Sequence, residues 1–376
     1  MGPRRHPNRS DASALVGGTA GLLRAGDEVT DPVLRVVVER ARCGSRPGER
    51  DDEHVVCLAV EGGGMRGAVS AGMCVVLEAA GVVPAFDRIY GVSAGAVNGW
   101  ATAARQAALG ATYYQDAVSG RVIDRMRPLR GGPVIDYDLL FAELIGLRKP
   151  LPFEGLTGGP EFRALAISLE TMSLRVLRDF GDANDVLQAV RASAALPRLG
   201  GRPPTFRGER MGDGGLLEPI PYQTALAEGA THVLVLRSRP AGYRRPRLLE
   251  LGESLALRDQ PGLGELRTAR QGVYNRQAAA LETMTRERAG AEVCQVAVPD
   301  STRLVGQLEA DGARVAQALR LGARAMASAL FTDPIDVCWQ PVVYRAAPVA
   351  EASVDDRLRP PAARWRAFAS RVGAHE

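Results

Sequence analysis

Lysine is almost missing from this chain: Lys149 stands alone, and nearly all the positive charge is carried by arginine. Histidine is scarce as well, with four in 376 residues. The arginines alternate with acids over most of the length and the net charge is only +4, which argues against a nucleic-acid-binding stripe. The five cysteines (Cys43, Cys57, Cys74, Cys294, Cys338) are odd in number and contain no Cys-x-x-Cys. That pattern argues against a disulfide framework and a zinc site and suits a reducing cytoplasm. Cys57 and Cys74 lie in apolar runs and are expected to be packed thiols. No metal or cofactor is expected. No apolar run approaches the roughly 20 residues that span a bilayer. The N-terminal arginines lead into no apolar signal-peptide core. Any lipid would therefore be met by peripheral contact at a membrane surface, or delivered.

What is present is ordinary globular material, 46% hydrophobic and 24% charged. Residues 1–50 read as a loose leader followed by a helix, with Asp31 as N-cap and Pro32 in its first turn. Residues 51–240 read as the catalytic domain. Residues 241–345 read as a helical extension packed on it or completing it, and 346–376 as a poorly ordered tail. Strands are expected near Val55–Val60, Asp87–Tyr90, Thr231–Leu236 and Val293–Val298, with a hairpin over Phe162–Leu169 and Ser173–Phe180. Helices are expected over Ala68–Ala80, Ala94–Ala108, 262–288 and 307–330, and residues 110–160 as an entrance or cap. Strand–helix alternation of this kind predicts an α/β fold, a three-layer α/β/α sandwich with a largely parallel central sheet.

Two glycine-rich segments follow the first two strands. Gly62-Gly63-Gly64-Met65-Arg66-Gly67 stands between a strand and a helix. Its amides, with the positive end of the following helix, can hold an oxyanion. The same letters spell the dinucleotide pattern G-x-G-x-x-G, with Asp87 20 residues beyond Gly67. A ribose-binding acid closes the second strand, however, and Asp87 opens one. A plain tight turn is the remaining reading. The second segment, Gly91-Val92-Ser93-Ala94-Gly95, matches the nucleophile elbow G-x-S-x-G in its strand–turn–helix context. The alternative there is a serine that only caps the helix.

A serine nucleophile needs a base. His6 and His375 lie in the terminal segments, and His54 and His232 start strands, whereas catalytic groups gather at the carboxyl ends of parallel strands. Both inner histidines are therefore expected to be structural, and a carboxylate becomes the simplest base. Asp213, between Gly212, Gly214 and Gly215, is the candidate, unless Asp213-Gly214 is merely a turn. A weakly basic aspartate would work best when partly dehydrated.

Taken together, these segments resemble the patatin-like phospholipase family. The likeness rests on the oxyanion loop Gly62–Gly67 with Arg66 at the basic position, the elbow Gly91–Gly95, and the Asp213-Gly214-Gly215 motif. Ala192-Ser193-Ala194-Ala195-Leu196-Pro197 is similar to the small-residue segment ahead of the family's aspartate, and Pro219-Ile220-Pro221 suits the region after it. It extends over roughly residues 54–240. The resemblance implies a patatin-type fold and a metal-independent Ser93–Asp213 dyad that cleaves lipid acyl esters, with the oxyanion on amides from Gly63–Met65. Two other functions remain: an esterase or thioesterase for non-lipid acyl groups, with the same residues but a different pocket, and a non-catalytic nucleotide-binding or regulatory module that uses the glycine loop. The sequence is silent on oligomeric state.

Overall fold

The computed structural model describes residues 29–331 apart from 197–198, 247–260, 288–289 and 303–304. The expected leader and tail, Cys338 and Pro197 lie outside the described residues. The elements run α1 (Pro32–Arg42), β1 (Val56–Val60), α2 (Gly67–Ala79), β2 (Arg88–Val92), α3 (Ala94–Ala103), α4 (Ala107–Ser119), α5 (Asp138–Arg148), β3 (Glu161–Ser168), β4 (Ser173–Leu177) and α6 (Ala183–Ser193). They continue with β5 (Thr205–Phe206), β6 (Glu209–Asp213), α7 (Tyr222–Ala227), β7 (His232–Leu236), α8 (Pro261–Glu287), β8 (Glu292–Val296) and α9 (Gly312–Leu330).

The strand order is β5-β6-β3-β2-β1-β7-β8, with β4 also paired to β3. The five strands β3, β2, β1, β7 and β8 are mutually parallel, and β4 and β6 run antiparallel to β3. Because side chains alternate across a strand, β1 feeds two cores at once. Val56, Leu58 and Val60 join the larger one with α1, α2, α3, α4, α6 and α9. Cys57 and Ala59 face the other, with Tyr222 and Ala225 of α7 and Tyr274, Ala278 and Leu281 of α8. The sheet is thus covered on both faces, as parallel sheets require. This is the expected three-layer α/β/α sandwich. Burial pushes the Cys57 and Cys74 thiols up to about 12, as packed, unreactive cysteines require.

Two expected helices are corrected. The stretch Ala94–Ala108 is not continuous: α3 ends at Ala103, and Arg105 takes a left-handed φ of 57°. There the Gln106 amide donates back to Ala101 (2.7 Å) and the Arg105 amide to Thr102 (3.0 Å), a Schellman-type stop. Arginine in place of the usual glycine hid it. Likewise α9 begins at Gly312, not near 307, because Asp311 caps it through the amides of Ala313 (2.8 Å) and Arg314 (3.3 Å). The residues before it form a loop that crosses the candidate site.

The start of α4 carries a pH-sensitive contact. Half-buried Glu78, near the end of α2, accepts the Ala107 amide at 2.5 Å. Burial pushes its carboxyl up to about 7, only partly opposed by the Ala107 hydrogen bond and Arg105. A folded-state pKa above the ordinary 4.5 means that the contribution is full below pH 4.5 and lost as pH rises through about 7. Glu78→Gln cannot ionise, so it should gain on wild type over that window. The gain is about 1–2 kcal/mol after allowing for partial exposure, read from urea unfolding at pH 5 and pH 8.

Candidate active site

The geometry of the site follows from the two edges of β3. On one edge β4 pairs along Ala164–Ser168. The opposite edge is shared: β2 pairs Val92 with Leu165, and β6 pairs Asp213 with Ala166. β2 and β6 therefore arrive at consecutive positions of the same edge, one parallel and one antiparallel. Ser93, next after Val92, and Asp213 are delivered to the same place at the carboxyl end of the parallel strands. Both line one polar cleft with Gly62, Gly63 and Gly215.

Ser93 is buried and has φ 56° and ψ −127°. A non-glycine residue in that conformation is strained by about 1–3 kcal/mol, as a nucleophile elbow demands. It makes no side-chain cap bond to α3, which sets the plain helix-cap reading aside. The strain is held by Ser193, whose hydroxyl accepts the Ser93 amide (2.9 Å) and donates to the Leu165 carbonyl (2.6 Å). Gly91 and Gly95 flank the elbow, and a side chain at 95 would run into the Val60 carbonyl. Asp213 is 2% exposed, meeting the expectation of a dehydrated carboxylate, and accepts the Gly215 amide at 2.7 Å. Gly214 lies against the Leu165 backbone.

The glycine loop reaches the serine directly. A Cβ on Gly62 would stand 3.0 Å from the Ser93 Cβ and 2.6 Å from the Val92 carbonyl oxygen, so only glycine fits. Gly63 and Gly64 both have positive φ, and Gly67 opens α2. One expectation is corrected here. The Met65 amide is not available to an oxyanion, because it donates to the Gln307 main-chain carbonyl at 3.0 Å. Among the described residues the Gly63 and Gly64 amides donate to no protein group. The loop is pinned from below by a buried pair: Glu61 accepts from Arg237 Nε (3.0 Å), the Ser238 amide (2.9 Å) and the Tyr274 hydroxyl (3.0 Å). The Ser238 hydroxyl donates to the Gly62 carbonyl at 2.6 Å.

The histidines sit where the strand rule places them. His54 and His232 stack edge-to-face at 4.4 Å, at the amino ends of β1 and β7 and away from Ser93. Asp87 is at that end too, bound to Arg40 (2.9 Å), Arg50 (2.8 Å) and the Val56 amide (2.8 Å). It is a structural anchor and not a ribose ligand.

A second pocket opens at Ser93 and is almost wholly apolar. Gly64, Met65 and Ala94 form its floor, and its walls include Tyr113, Val122, Ile135, Leu140, Phe141 and Ile145. Residues 110–160 thus wall a cavity, as the entrance reading anticipated. The wall helix α5 is wound in the wide π form, a rare geometry that is frequent at functional sites. Gln307 lines both the polar and the apolar pocket.

Residues 58–226 match the family model of the patatin-like phospholipase. Over these residues the chain is similar to that family. It is 29% identical over 191 residues to the uncharacterized protein YjjU of Escherichia coli (strain K12), covering 50% of this chain and 52% of that one. The chain therefore spans about half the length of this curated relative. The crystal structure of VipD from Legionella pneumophila aligns over 74% of this chain and 67% of that chain, at 13% identity and a TM-score of 0.34. Several groups around the candidate site were not anticipated: Ser193 as the clamp on the elbow, Gln307 on the loop, and Arg237, Arg239, Arg245 and Arg270. Arg237 and Arg239 follow β7 directly, so the rule that sites collect at carboxyl strand ends would have pointed to them.

Proposed function

We propose that this protein is a serine acyl hydrolase that cleaves lipid acyl esters through a Ser93–Asp213 dyad. The observation that carries the reading is the shared edge of β3, which supplies a strained serine and a buried carboxylate to one cleft beside the glycine loop. Asp213 takes the Ser93 proton, and the hydroxyl attacks the ester carbonyl. The developing oxyanion rests on the Gly63 and Gly64 amides, each such donor lowering the barrier by about 2.7–4 kcal/mol. Asp213 returns that proton to the departing alcohol, then takes one from a water whose oxygen attacks the acyl-enzyme, and the proton goes back to Ser93 as the carboxylic acid leaves. The apolar pocket beside Ser93 takes the acyl chain, which favours a lipid ester over a small polar one. The reading carries with it a cytoplasmic location and peripheral contact with a lipid surface; among the described residues no helix is long and apolar enough to cross a membrane.

The test is covalent labelling with a fluorophosphonate, followed by peptide mapping, beside hydrolysis of p-nitrophenyl esters of increasing chain length. Adduct at Ser93 and a kcat/KM that rises with chain length are expected. Activity confined to the shortest chains would favour a small-ester or thioester hydrolase acting through the same residues, whereas labelling elsewhere would overturn the Ser93 dyad.

A further inference from the structure

The wall of the cleft opposite the acyl pocket is crowded with arginine. Arg66, Arg239, Arg245 and Arg270 all line the cleft that holds Ser93 and Asp213. Arg66 and Arg239 continue into an adjoining space of about 490 Å³, bounded by Tyr243, Asp300 and Thr302. Clustering guanidinium groups in a poorly hydrated site is unfavourable unless something negative joins them. For Arg66 and Arg239 the local carboxylates do little of that, and Asp213, which lines the same cleft, also accepts the Gly215 amide. Glu61 is engaged by Arg237, the Ser238 amide and Tyr274. Asp300 accepts the Gly242 amide at 3.1 Å. Among the described residues Arg66 Nε is buried with no hydrogen-bond partner. Burial and then the charge of Arg239 push the Arg66 guanidinium down to about 9, the direction expected of a cation awaiting an anion. Arg239 is nine-tenths buried and forms no ion pair among the described residues. It is held in place by the ring faces of Tyr243 (4.0 Å) and Tyr274 (5.3 Å).

Ser93 is the hinge between the two spaces, since it lines both the apolar pocket and the arginine-walled cleft. With the acyl chain in the former, the alcohol portion of the ester lies in the latter. We infer that Arg66, Arg239, Arg245 and Arg270 form a phosphate site for the alcohol side of the scissile ester, so that the preferred substrate is an acyl ester of a phosphate monoester. The inference rests on the hydrolase reading above and names its substrate class. A terminal dianionic phosphate matches several guanidinium groups at once, through paired N–H···O bonds. A zwitterionic head group fits less well: its cation would meet arginines, and Arg239 already occupies a face of Tyr243.

The experiment compares three esters with the same acyl chain: a glycerol ester, a glycerol phosphate ester and a glycerophosphocholine ester. The phosphate monoester should be hydrolysed with a kcat/KM at least about tenfold above the other two, and the preference should shrink as salt rises. Arg239→Gln should cut that preference about fivefold or more, with Arg270→Gln as a second variant if the first does not fold. Calorimetry on Ser93→Ala protein should show glycerol phosphate binding more tightly than inorganic phosphate. Equal hydrolysis of all three esters overturns the phosphate assignment and leaves the hydrolase reading standing. Hydrolysis of none overturns both. Inorganic phosphate binding as tightly as glycerol phosphate, with no ester preference, would make the arginines a site for free phosphate, again against the inference.

Discussion

Ser93→Ala is expected to lower acyl-ester turnover by about 10⁴ to 10⁶-fold, because the covalent route disappears while binding and the loop amides remain. Asp213→Asn should lose about 10⁴-fold, since an amide cannot take the serine proton. Combining the two should cost little more than Ser93→Ala alone, as groups acting as a unit are not additive. Steady-state hydrolysis of a short p-nitrophenyl ester measures all three. A folding defect is separated from a chemical one by Ser93→Gly. Glycine adopts φ 56°, ψ −127° without the Cβ penalty, so this variant should be inactive and yet more stable than wild type by about 1 kcal/mol in urea. Such a pairing of lost activity with gained stability marks strain kept for function. Ser93→Ala retaining more than about a tenth of the activity would remove the serine from the chemistry altogether.

The glycine loop, the elbow and the aspartate turn could be read in the sequence because each is a local pattern. Positive φ at Gly63 and Gly64, and the tight approach at Gly62, demand glycine at particular positions, and those letters are visible. The sandwich was visible for the same reason, through apolar runs of strand length alternating with longer helical ones. The device that joins the pieces was not. That β6 takes over the edge of β3 where β2 leaves it is a matter of pairing between segments far apart in the chain. No local preference encodes it. The histidine argument succeeded because it used topology: parallel strands put their amino ends on the far rim, and His54 and His232 are there. The break at Arg105 and the late start of α9 were hidden for a different reason. An arginine held left-handed gives no glycine signal, and a loop such as 305–310 looks helical until Asp311 is seen to cap the next turn. Gln307, resting on the glycine loop through its main-chain carbonyl, could not have been found from its side-chain type, since any residue has that carbonyl.

Arg237→Met should produce the largest loss of stability, about 3–5 kcal/mol, by leaving the Glu61 carboxylate buried without its cation. Arg237 is fully buried and Glu61 is 1% exposed, so water cannot substitute for the lost partner. Burial works against the Arg237 charge, but Glu61 and Tyr274 outweigh it and hold the guanidinium above its ordinary pKa. The pair also touches the chemistry, because Glu61 leads straight into Gly62 and the Ser238 hydroxyl grips the Gly62 carbonyl. The same variant should therefore lose kcat even at temperatures where it stays folded. Glu61→Gln in the Arg237→Met background should restore much of the stability, since the neutral amide's oxygen can accept the Ser238 amide while its NH2 donates to the Tyr274 hydroxyl oxygen. A double-mutant cycle in urea separates the coupling of the pair from the cost of burying each member alone. Near-zero coupling would mean that the loop is held by Ser238 and Tyr274 without the ion pair. A coupling of about 2 kcal/mol or more, with kcat following stability through the cycle, would make the pair the foundation on which the glycine loop is set.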